Sequence, residues 1–384
     1  MDIKIWGCRG SIPAPIKPAD VKQKIKEGIV DCLNTTQGGD DIESQVDNYL
    51  ATADVAKTFG GNTTCLEVKA KGYNEATIED KISYMFDCGS GLREAGLDMM
   101  SRGNFFGNGK VKVFLSHMHW DHINGFPFFV PAFIPGNKVI VYGSKTHEEA
   151  LDLALKGQSE EQGIESVLTN GVASGAVDCL AQYALTVQQS AGLFPVKLKE
   201  MPSSIQFHYL ENEEVVENGV RVESKYFGDR TPEYNFKTGE GLVPRHKEGI
   251  FSYKVIEDGK SFVYATDIEL DQPTKKGSVD TEYLAWIKGV DVLYADAQYT
   301  PEEYNPAEHG KQGMAKIGWG HSTYETIIDY AKEAGVKKLL LGHHEPTRND
   351  KGLIELHKRA TEYAKQGGYE GKVEMAFEGM NVTL

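Results

Sequence analysis

Three imidazoles and a carboxylate lie within six consecutive residues, His117 to His122, of this 384-residue sequence. The preceding residues, 111–115, are mostly apolar and β-branched, which predicts a buried strand that ends where the cluster begins. Because alternate residues of an extended segment point to the same side, His117 and His119 are expected to converge on one metal ion. Asp121 and His122 follow where the backbone turns, and they are available to a second ion a few ångströms away.

Imidazole nitrogens combined with carboxylate oxygens form a ligand set that suits zinc and is also compatible with manganese or iron. Two such ions about 3.5–4 Å apart, with open positions, form a hydrolytic site. A single buried histidine is usually a packing residue, and a single strand-end aspartate is usually solvated. That explanation weakens as ligand types accumulate at one strand end, so the cluster predicts a metal site with two divalent ions.

A site with two metals needs more than four ligands, and other strand ends offer candidates. One apolar segment ends at Asp267, where a metal-bridging carboxylate is expected, although an aspartate there also commonly starts a turn. A second apolar segment ends at the pair His343 and His344, of which we expect one to be a ligand. His246 precedes another predicted strand and could reach the same sheet edge.

Composition limits the classes of function. Hydrophobic content of 40% and charged content of 25% are ordinary for a soluble globular protein. The formal net charge of −15 argues against an extended nucleic-acid surface, although bound cations would still admit a small anionic substrate. The five cysteines have no CxxC spacing, so a disulfide framework is not expected. Without a signal-peptide pattern or a membrane-length apolar run, we expect a cytoplasmic protein that does not contact membranes.

The elements that must position these residues follow from hydrophobic periodicity. A capping box at 322–325 predicts a helix that stops at Gly335, and a second helix is expected over 352–366. Strands are expected at 1–6, 64–68, 82–86, 111–115, 138–142, 204–210, 219–227, 250–257, 261–266, 290–295 and 338–342. Strands followed by helices, twice over, predict an α/β (α+β) fold in which two sheets pack back to back as a four-layer αββα sandwich.

We expect a single domain over residues 1–384 with helical insertions at 18–56 and 147–192. The first insertion is charged and weakly amphipathic, and the second is rich in Ala, Leu, Gln and Glu. The Ala/Leu-rich composition suggests a cap over the site or the face of a homodimer.

The motifs resemble those of the metallo-β-lactamase superfamily, and within it the phosphodiesterase branch typified by RNase Z and the cyclic-phosphate dihydrolases. The resemblance runs nearly end to end. His343 has Pro346 three residues on, as in the family, and His246 lies seven residues before Tyr253. The matching segments are the glycine loop 7–13, the FDCGxG turn 86–91, the [ST]HxHxDHxxG signature 116–125 and the GHST segment within 318–323.

The resemblance implies the role of each candidate. One metal would be held by His117, His119 and His246, the other by Asp121, His122 and His343, with Asp267 and a hydroxide bridging them. Asp121 and His321 would carry catalysis, with His321 facing the scissile phosphate just before a capped helix whose backbone N–H groups favour phosphate. Asp87, His344 and Ser322 are expected behind the ligands or beside the substrate, Asp87 by orienting a metal-bound imidazole.

These roles predict a metal-dependent hydrolase, most simply a phosphodiesterase that cleaves a small phosphodiester such as a cyclic nucleotide or short RNA. The long insertions, and the lack of a recognisable Lys/Gly-rich arm, favour a substrate smaller than tRNA. One alternative is a lactonase or thioester hydrolase that uses the same metals, although carbonyl hydrolysis needs no histidine dedicated to phosphate. Another alternative is a non-catalytic nucleotide-binding protein, against which the intact ligand set argues.

Overall fold

The computed structural model describes residues 1–35, 41–77, 80–144, 179–210, 212–227, 249–270 and 280–384. Within these ranges the strands form two seven-stranded sheets. The first sheet has the order β14-β1-β2-β3-β4-β5-β6, with β1 Asp2–Gly7, β2 Cys65–Lys69, β3 Ile82–Phe86, β4 Lys110–Phe114, β5 Lys138–Gly143, β6 Ser204–Tyr209 and β14 Asn381–Thr383. The second has the order β13-β12-β11-β10-β9-β8-β7, with β7 Glu214–Glu217, β8 Val220–Phe227, β9 Ile250–Glu257, β10 Lys260–Ala265, β11 Val292–Asp296, β12 Lys338–Gly342 and β13 Lys372–Met375.

The helices of the described ranges connect these strands and cover the sheets. They are α1 Pro18–Thr35, α2 Ile42–Leu50, α3 Gly91–Ser101, α4 Trp120–Ile123, α5 Leu180–Gln188, α6 Thr281–Ile287, α7 Pro301–Tyr304, α8 Tyr324–Ala334 and α9 Asp350–Gln366. Short 3-10 turns lie at Asp54–Ala56, Phe126–Phe128, Val130–Phe133, Leu198–Glu200 and Pro306–His309. Among these helices, none combines the length and the apolar composition that a bilayer crossing requires.

Parallel pairing brings the candidate residues to common sheet edges. Strands β3 and β4 are parallel, so Asp87 after β3 and the histidine cluster after β4 leave the first sheet at the same edge. Strands β10, β11 and β12 are also parallel, so Asp267, Asp296 and His343 share the corresponding edge of the second sheet. The topology therefore assembles the site from strand ends that are distant in sequence.

Aromatic side chains fill the space between the two sheets. Phe86 stacks on Phe114 with ring centroids 5.5 Å apart, and both rings contact Tyr253. Tyr264, from the second sheet, lies 5.8 Å from Phe86. Fully buried aromatic side chains of this kind each contribute about 2–3 kcal/mol to burial free energy.

Two outer cores complete the layering. Helices α6, α8 and α9 pack on the second sheet, and helices α3 and α5 pack on the first. The order of layers is therefore helix, sheet, sheet, helix, which confirms the predicted αββα sandwich.

The predicted strands lie within two residues of the observed ones. Sequence patterning missed the short strands β7, β13 and β14 and the helices α3, α4, α6 and α7. The segment 18–56 contains α1 and α2, whereas 147–192 is described only from residue 179, where α5 follows. A single domain with insertions at these two segments stays a prediction. The five cysteines are free thiols, and four of them are buried.

Candidate metal centre

Three residues of the centre leave their strands in left-handed backbone conformation. The φ angles are 60° at Asp87, 56° at Asp267 and 54° at His343, and all three residues are buried. This conformation is uncommon for residues other than glycine and carries about 1–3 kcal/mol of strain each. Strain of this size persists where surrounding contacts hold the residue, and it concentrates at functional sites.

Four donor atoms from three parts of the chain converge on one point. Asp121 Oδ2 lies 3.2 Å from both His122 Nε2 and His343 Nε2, and these two nitrogens are 3.3 Å apart. Asp267 Oδ2 lies 3.3 Å from each of the same two nitrogens. The structure thus joins the signature at 117–122 to both of the distant strand ends that the sequence singled out.

Asp87 fixes the protonation of His122. Its Oδ1 accepts a hydrogen bond from the Ser116 amide at 2.7 Å, and its Oδ2 accepts from the Ser116 hydroxyl at 2.7 Å and from the Tyr264 hydroxyl. The same Oδ2 lies 2.6 Å from His122 Nδ1. Because the carboxylate only accepts, Nδ1 of His122 carries a proton and Nε2 faces the cluster. Burial opposes protonation of this ring, but Asp121, Asp267 and Asp87 raise the pKa of His122 well above its usual range.

Two further imidazoles are oriented in the same way. His117 Nδ1 lies 3.0 Å from the Ser116 hydroxyl, whose own proton is donated to Asp87, so His117 Nδ1 is the donor. His343 Nδ1 lies 2.9 Å from Gln298 Oε1, which accepts its proton. All three histidines therefore direct Nε2 inward, where loss of the Nε2 proton would leave a lone pair for a cation.

Asp267 lies between two groups of imidazoles. Its Oδ2 faces His122 and His343, whereas its Oδ1 lies 3.9 Å from His117 Nε2. The ring of His119 is 4.4 Å from the ring of His117, centroid to centroid. One carboxylate with an oxygen toward each group is the arrangement expected of a bridging ligand.

The opening glycine loop packs directly against this cluster. The Ser11 amide donates to Asp121 Oδ2 at 2.7 Å. A Cβ on Gly10 would lie 2.5 Å from His343 Nδ1 and 2.8 Å from Gln298 Oε1, closer than real Cβ atoms approach. Glycine is therefore required at this position for His343 to keep its orientation.

The donor set fits a divalent transition metal. Ligand atoms at 2.0–2.1 Å around a tetrahedral ion lie about 3.3 Å from one another, close to the 3.2–3.3 Å separations between Asp121, His122 and His343. Three sets of side chains each have ligand atoms within 4.8 Å of one another, and Asp267 belongs to two of these sets. The sets are His117, His122 and Asp267; Asp121, His122 and His343; and Asp267, Asp296, His321 and His343. A bound cation would replace the imidazole protons that face these carboxylates.

Electrostatics favours the same interpretation. Burial opposes ionisation of Asp121, but His122 and His343 hold the pKa of its carboxyl well below the usual range. Burial likewise opposes ionisation of Asp267, and His343 and His122 again lower its pKa. Both carboxylates are therefore ionised at neutral pH, and a metal ion would bind to preformed negative charge.

His321 stands beside the cluster as a charged group. Its Nδ1 lies 2.6 Å from Asp296 Oδ2 and 3.6 Å from Asp267 Oδ1, and its ring stacks on His343 at 4.9 Å. Burial opposes protonation, but Asp296, followed by Asp267 and Asp121, raises the pKa of His321 to about 9. The ring is cationic at neutral pH, and its Nε2 proton is the one that Asp296 does not engage.

The loop that carries His321 is tied down by a buried carboxylate. Glu269 accepts hydrogen bonds from the amides of Gly318 and Gly320 at 2.8 and 2.9 Å and from the hydroxyl of Tyr304. Burial raises the pKa of Glu269, while these donors oppose the rise. Gly318 and Gly320 have φ angles of 77° and 90°, a conformation that favours glycine, so this turn and its carboxylate hold the segment before His321.

The helix that follows His321 has fewer available N–H groups than the sequence predicts. The Thr323 hydroxyl caps α8 by accepting from the Thr326 amide, and the Tyr324 amide donates to the Tyr299 carbonyl. Any phosphate recognition here must therefore rely on His321 more than on the helix N-terminus.

The remaining candidates have different surroundings. His344 contacts the Ala376 carbonyl at 2.7 Å and the ring of Phe59, and burial lowers its pKa to about 3. The Ser322 hydroxyl bonds backbone groups of residues 268 and 270. Neither is among the convergent donors, so of the His343–His344 pair it is His343 that enters the cluster. His246 lies outside the described residues.

Sequence reasoning missed several positioning residues. Asp296 had a usable signal, because β11 is an apolar strand that ends in a carboxylate like the strand before Asp267. No sequence pattern pointed to Gln298, Ser116 or Glu269, because each contacts the site through another residue.

Comparison with known proteins gives concordant matches. A family model described as "Beta-lactamase superfamily domain" matches residues 222–344. Ribonuclease Z of Prochlorococcus marinus is 23% identical over 343 residues, which cover 80% of this chain and 90% of that protein. In solved structures, yeast PDE1 superposes with a TM-score of 0.54 at 12% identity, covering 100% of this chain and 99% of the other. The metallo-β-lactamase fold protein YhfI of Bacillus subtilis has a TM-score of 0.50 at 13% identity, with coverages of 99% and 98%.

The structural likenesses concern the fold, and they agree with the two-sheet architecture described above. The sequence matches cover the region that holds Asp267, His321 and His343. Together with the convergent histidine and aspartate donors, these findings indicate a metal-dependent hydrolase that is similar to a beta-lactamase superfamily domain over residues 222–344 and to ribonuclease Z.

Proposed function

We propose that this protein is a dinuclear phosphodiesterase that cleaves a small phosphodiester such as a cyclic nucleotide or a short RNA. The observation that carries the proposal is the Asp296–His321 pair, which places a cationic imidazole 3.6 Å from Asp267 of the metal centre. A positive charge beside the metals suits an anionic substrate and has no evident use toward a lactone or thioester. The similarity to a ribonuclease supports the same class of bond.

The geometry suggests how two ions would be held. His117, His119 and His246 would bind one ion, and Asp121, His122 and His343 the other, with Asp267 shared by both sets. Support comes from the opposed environments of Asp267 Oδ1 and Oδ2, which face His117 on one side and His122 and His343 on the other. Zinc is the first candidate for both positions, with manganese and iron as alternatives.

When bound, such ions supply a water that ionises near neutral pH and positive charge against the non-bridging phosphate oxygens. The protein's own residues would do the rest. Asp87, Ser116 and Gln298 keep three imidazoles in the ligating tautomer. His321 would donate its Nε2 proton to the leaving alkoxide, while Asp296 keeps the imidazolium oriented. Asp121 would act both as a ligand of the second ion and as a negative charge beside His122 and His343.

A small substrate is favoured over a long nucleic acid. The net charge of −15 opposes a broad phosphate-binding surface, since affinity for long chains depends on clustered Lys and Arg. A single scissile phosphate needs only the local field of the centre and His321.

The test compares substrates and variants of the zinc- or manganese-loaded protein. Wild type should turn over bis-p-nitrophenyl phosphate and cyclic nucleotides, and should leave an acyl homoserine lactone intact. His321→Ala should lower kcat on a cyclic nucleotide by about 100-fold or more, and by less on the p-nitrophenyl ester, whose leaving group needs no proton. The matched control is His309→Ala, an exposed histidine away from the centre. Lactone turnover without phosphodiester turnover would refute the proposal.

A further inference from the structure

Trp120 lies between two of the proposed metal ligands and is largely exposed. It is the first residue of α4, with His119 before it as the N-cap residue and Asp121 after it. Trp120 is 59% exposed, whereas Asp121 and His122 are 6% and 0% exposed. Tryptophan is highly buried on average, so an exposed indole in the middle of the ligand cluster points to a role outside the core.

The other three tryptophans of the sequence each have a partner on the ring. Lysine Nζ atoms lie over the rings of Trp6, Trp286 and Trp319, at 3.8, 4.1 and 4.1 Å from the ring centroids. The indole N–H groups of Trp6 and Trp286 also donate hydrogen bonds to side chains. Within the described ranges, Trp120 has neither a cation over its ring nor an acceptor for its N–H. Its π face is therefore open to a ligand.

The opening glycine loop adds a second apolar side chain to the same rim. The Ser11 amide bonds Asp121 at 2.7 Å, and Asp121 is next to Trp120 along the chain. Ile12 follows Ser11 and is 52% exposed. The rim of the centre on the side of Asp121 therefore carries two large exposed apolar side chains, one of which is aromatic.

A mononucleotide has both of the groups that this arrangement suits. Its phosphate would lie at the metal centre beside His321, whose cationic ring is 3.6 Å from Asp267. The ribose would then carry a planar base one sugar ring away, toward the rim. Stacking on an aromatic side chain accepts any base, because every base has a π face. A quaternary ammonium suits the rim less well, since it is bound by a cage of several aromatic rings.

We propose that Trp120 determines the specificity of the centre by stacking on the base of a nucleotide whose phosphate lies at the metals. The inference rests on the proposed function for one point, the position of the phosphate. It narrows the substrate from small phosphodiesters in general to those that carry a nucleobase, such as cyclic nucleotides and short RNA. Diesters without a base, such as glycerophosphodiesters, lose this contact.

Calorimetric titration of the zinc-loaded full chain with AMP and with ribose 5-phosphate tests the contact independently of turnover. Trp120→Leu should weaken AMP binding by about 5- to 150-fold, the range for loss of one base–aromatic stack, and should change ribose 5-phosphate binding by less than about 2-fold. Trp120→Phe keeps an aromatic ring and should bind AMP within about 5-fold of wild type. The matched control is Phe106→Leu, because Phe106 is 67% exposed and precedes β4, at the opposite sheet edge from the centre.

Elemental analysis verifies equal zinc content before each titration. Equal affinity of wild type for AMP and ribose 5-phosphate, or a Trp120→Leu variant that binds AMP like wild type, would overturn the proposal. A greater loss of phosphocholine binding than of AMP binding in Trp120→Leu would also overturn it, because the ring would then recognise a cation. Turnover of bis-p-nitrophenyl phosphate is measured on the same samples. Its absence would refute the phosphodiesterase, whereas the binding data alone decide the role of Trp120.

Discussion

Replacing Asp87 by asparagine should weaken metal binding although every proposed ligand residue is retained. The new amide has one accepting oxygen where the carboxylate has two. With its NH₂ group at the Oδ1 position it opposes the Ser116 amide. With its NH₂ group at the Oδ2 position it opposes the hydroxyls of Ser116 and Tyr264 and Nδ1 of His122. The hydroxyls can rotate, but in this second orientation His122 must move its proton to Nε2. That nitrogen faces Asp121 and His343, so the ligand lone pair is lost.

The size of the effect follows from this geometry. Loss of a group that orients a ligand typically weakens metal binding 10- to 100-fold, about 1.4–2.8 kcal/mol. Unfolding free energy should fall by about 1–3 kcal/mol as well, because buried donors lose their acceptor. A competition titration with a chromogenic chelator measures the affinity, and thermal unfolding of the metal-free protein measures the stability.

Asp291→Asn is the matched control. Asp291 is also a buried carboxylate at a strand end, where it accepts from the Ser261 amide at 2.9 Å and pairs with Lys337 at 2.8 Å. It precedes β11 and therefore lies at the opposite sheet edge from the centre. This variant should lose stability and keep its metal affinity. If Asp87→Asn binds metal as tightly as Asp291→Asn, the assignment of Asp87 to the orientation of His122 is wrong.

Three further predictions concern other contacts. Gly10→Ala should weaken metal binding about 10-fold by displacing His343, whereas Gly28→Ala, whose Cβ meets its nearest neighbour at 3.3 Å, should leave it unchanged in the same titration. Glu269→Gln should lower kcat by about 10-fold or more through the Gly318–Gly320 loop, with metal content by elemental analysis equal to wild type; a loss of metal would contradict this role. Burial raises the pKa of Glu302, but hydrogen bonds and Arg359 outweigh burial and lower that pKa from 4.5 to about 2. The ionised Glu302 therefore stabilises the fold fully above pH 4.5, and this stabilisation disappears as the pH falls toward 2. Calorimetry should show a difference in Tm between wild type and Glu302→Gln that is largest near neutral pH, and a difference independent of pH would refute it.

Sequence alone singled out most of the residues that converge in the structure, because these residues follow strands. Asp267 and His343 each end a run of apolar residues, and parallel pairing carries such ends to one edge. A strand-end aspartate is nevertheless common, and Asp296 was overlooked although it obeys the same rule. Its importance depends on His321, which lies 25 residues away in sequence and 2.6 Å away in space.

The strands that the sequence did not predict are short, and their pairing with other strands defines them. Strand β14 has three residues and is stabilised by pairing with β1 at the other end of the chain. Strand β7 is a four-residue edge strand paired with β8 alone. Neither segment is long enough to show a decisive alternation, so only the assembled sheet specifies them.

The measurement that addresses the central claim most directly is a metal titration of the metal-free protein, with turnover of bis-p-nitrophenyl phosphate followed against bound metal per chain. A dinuclear phosphodiesterase predicts little activity after one equivalent and a rise that reaches its maximum at two. Full activity at one equivalent would contradict the two-metal site, and no turnover at two equivalents would contradict the phosphodiesterase.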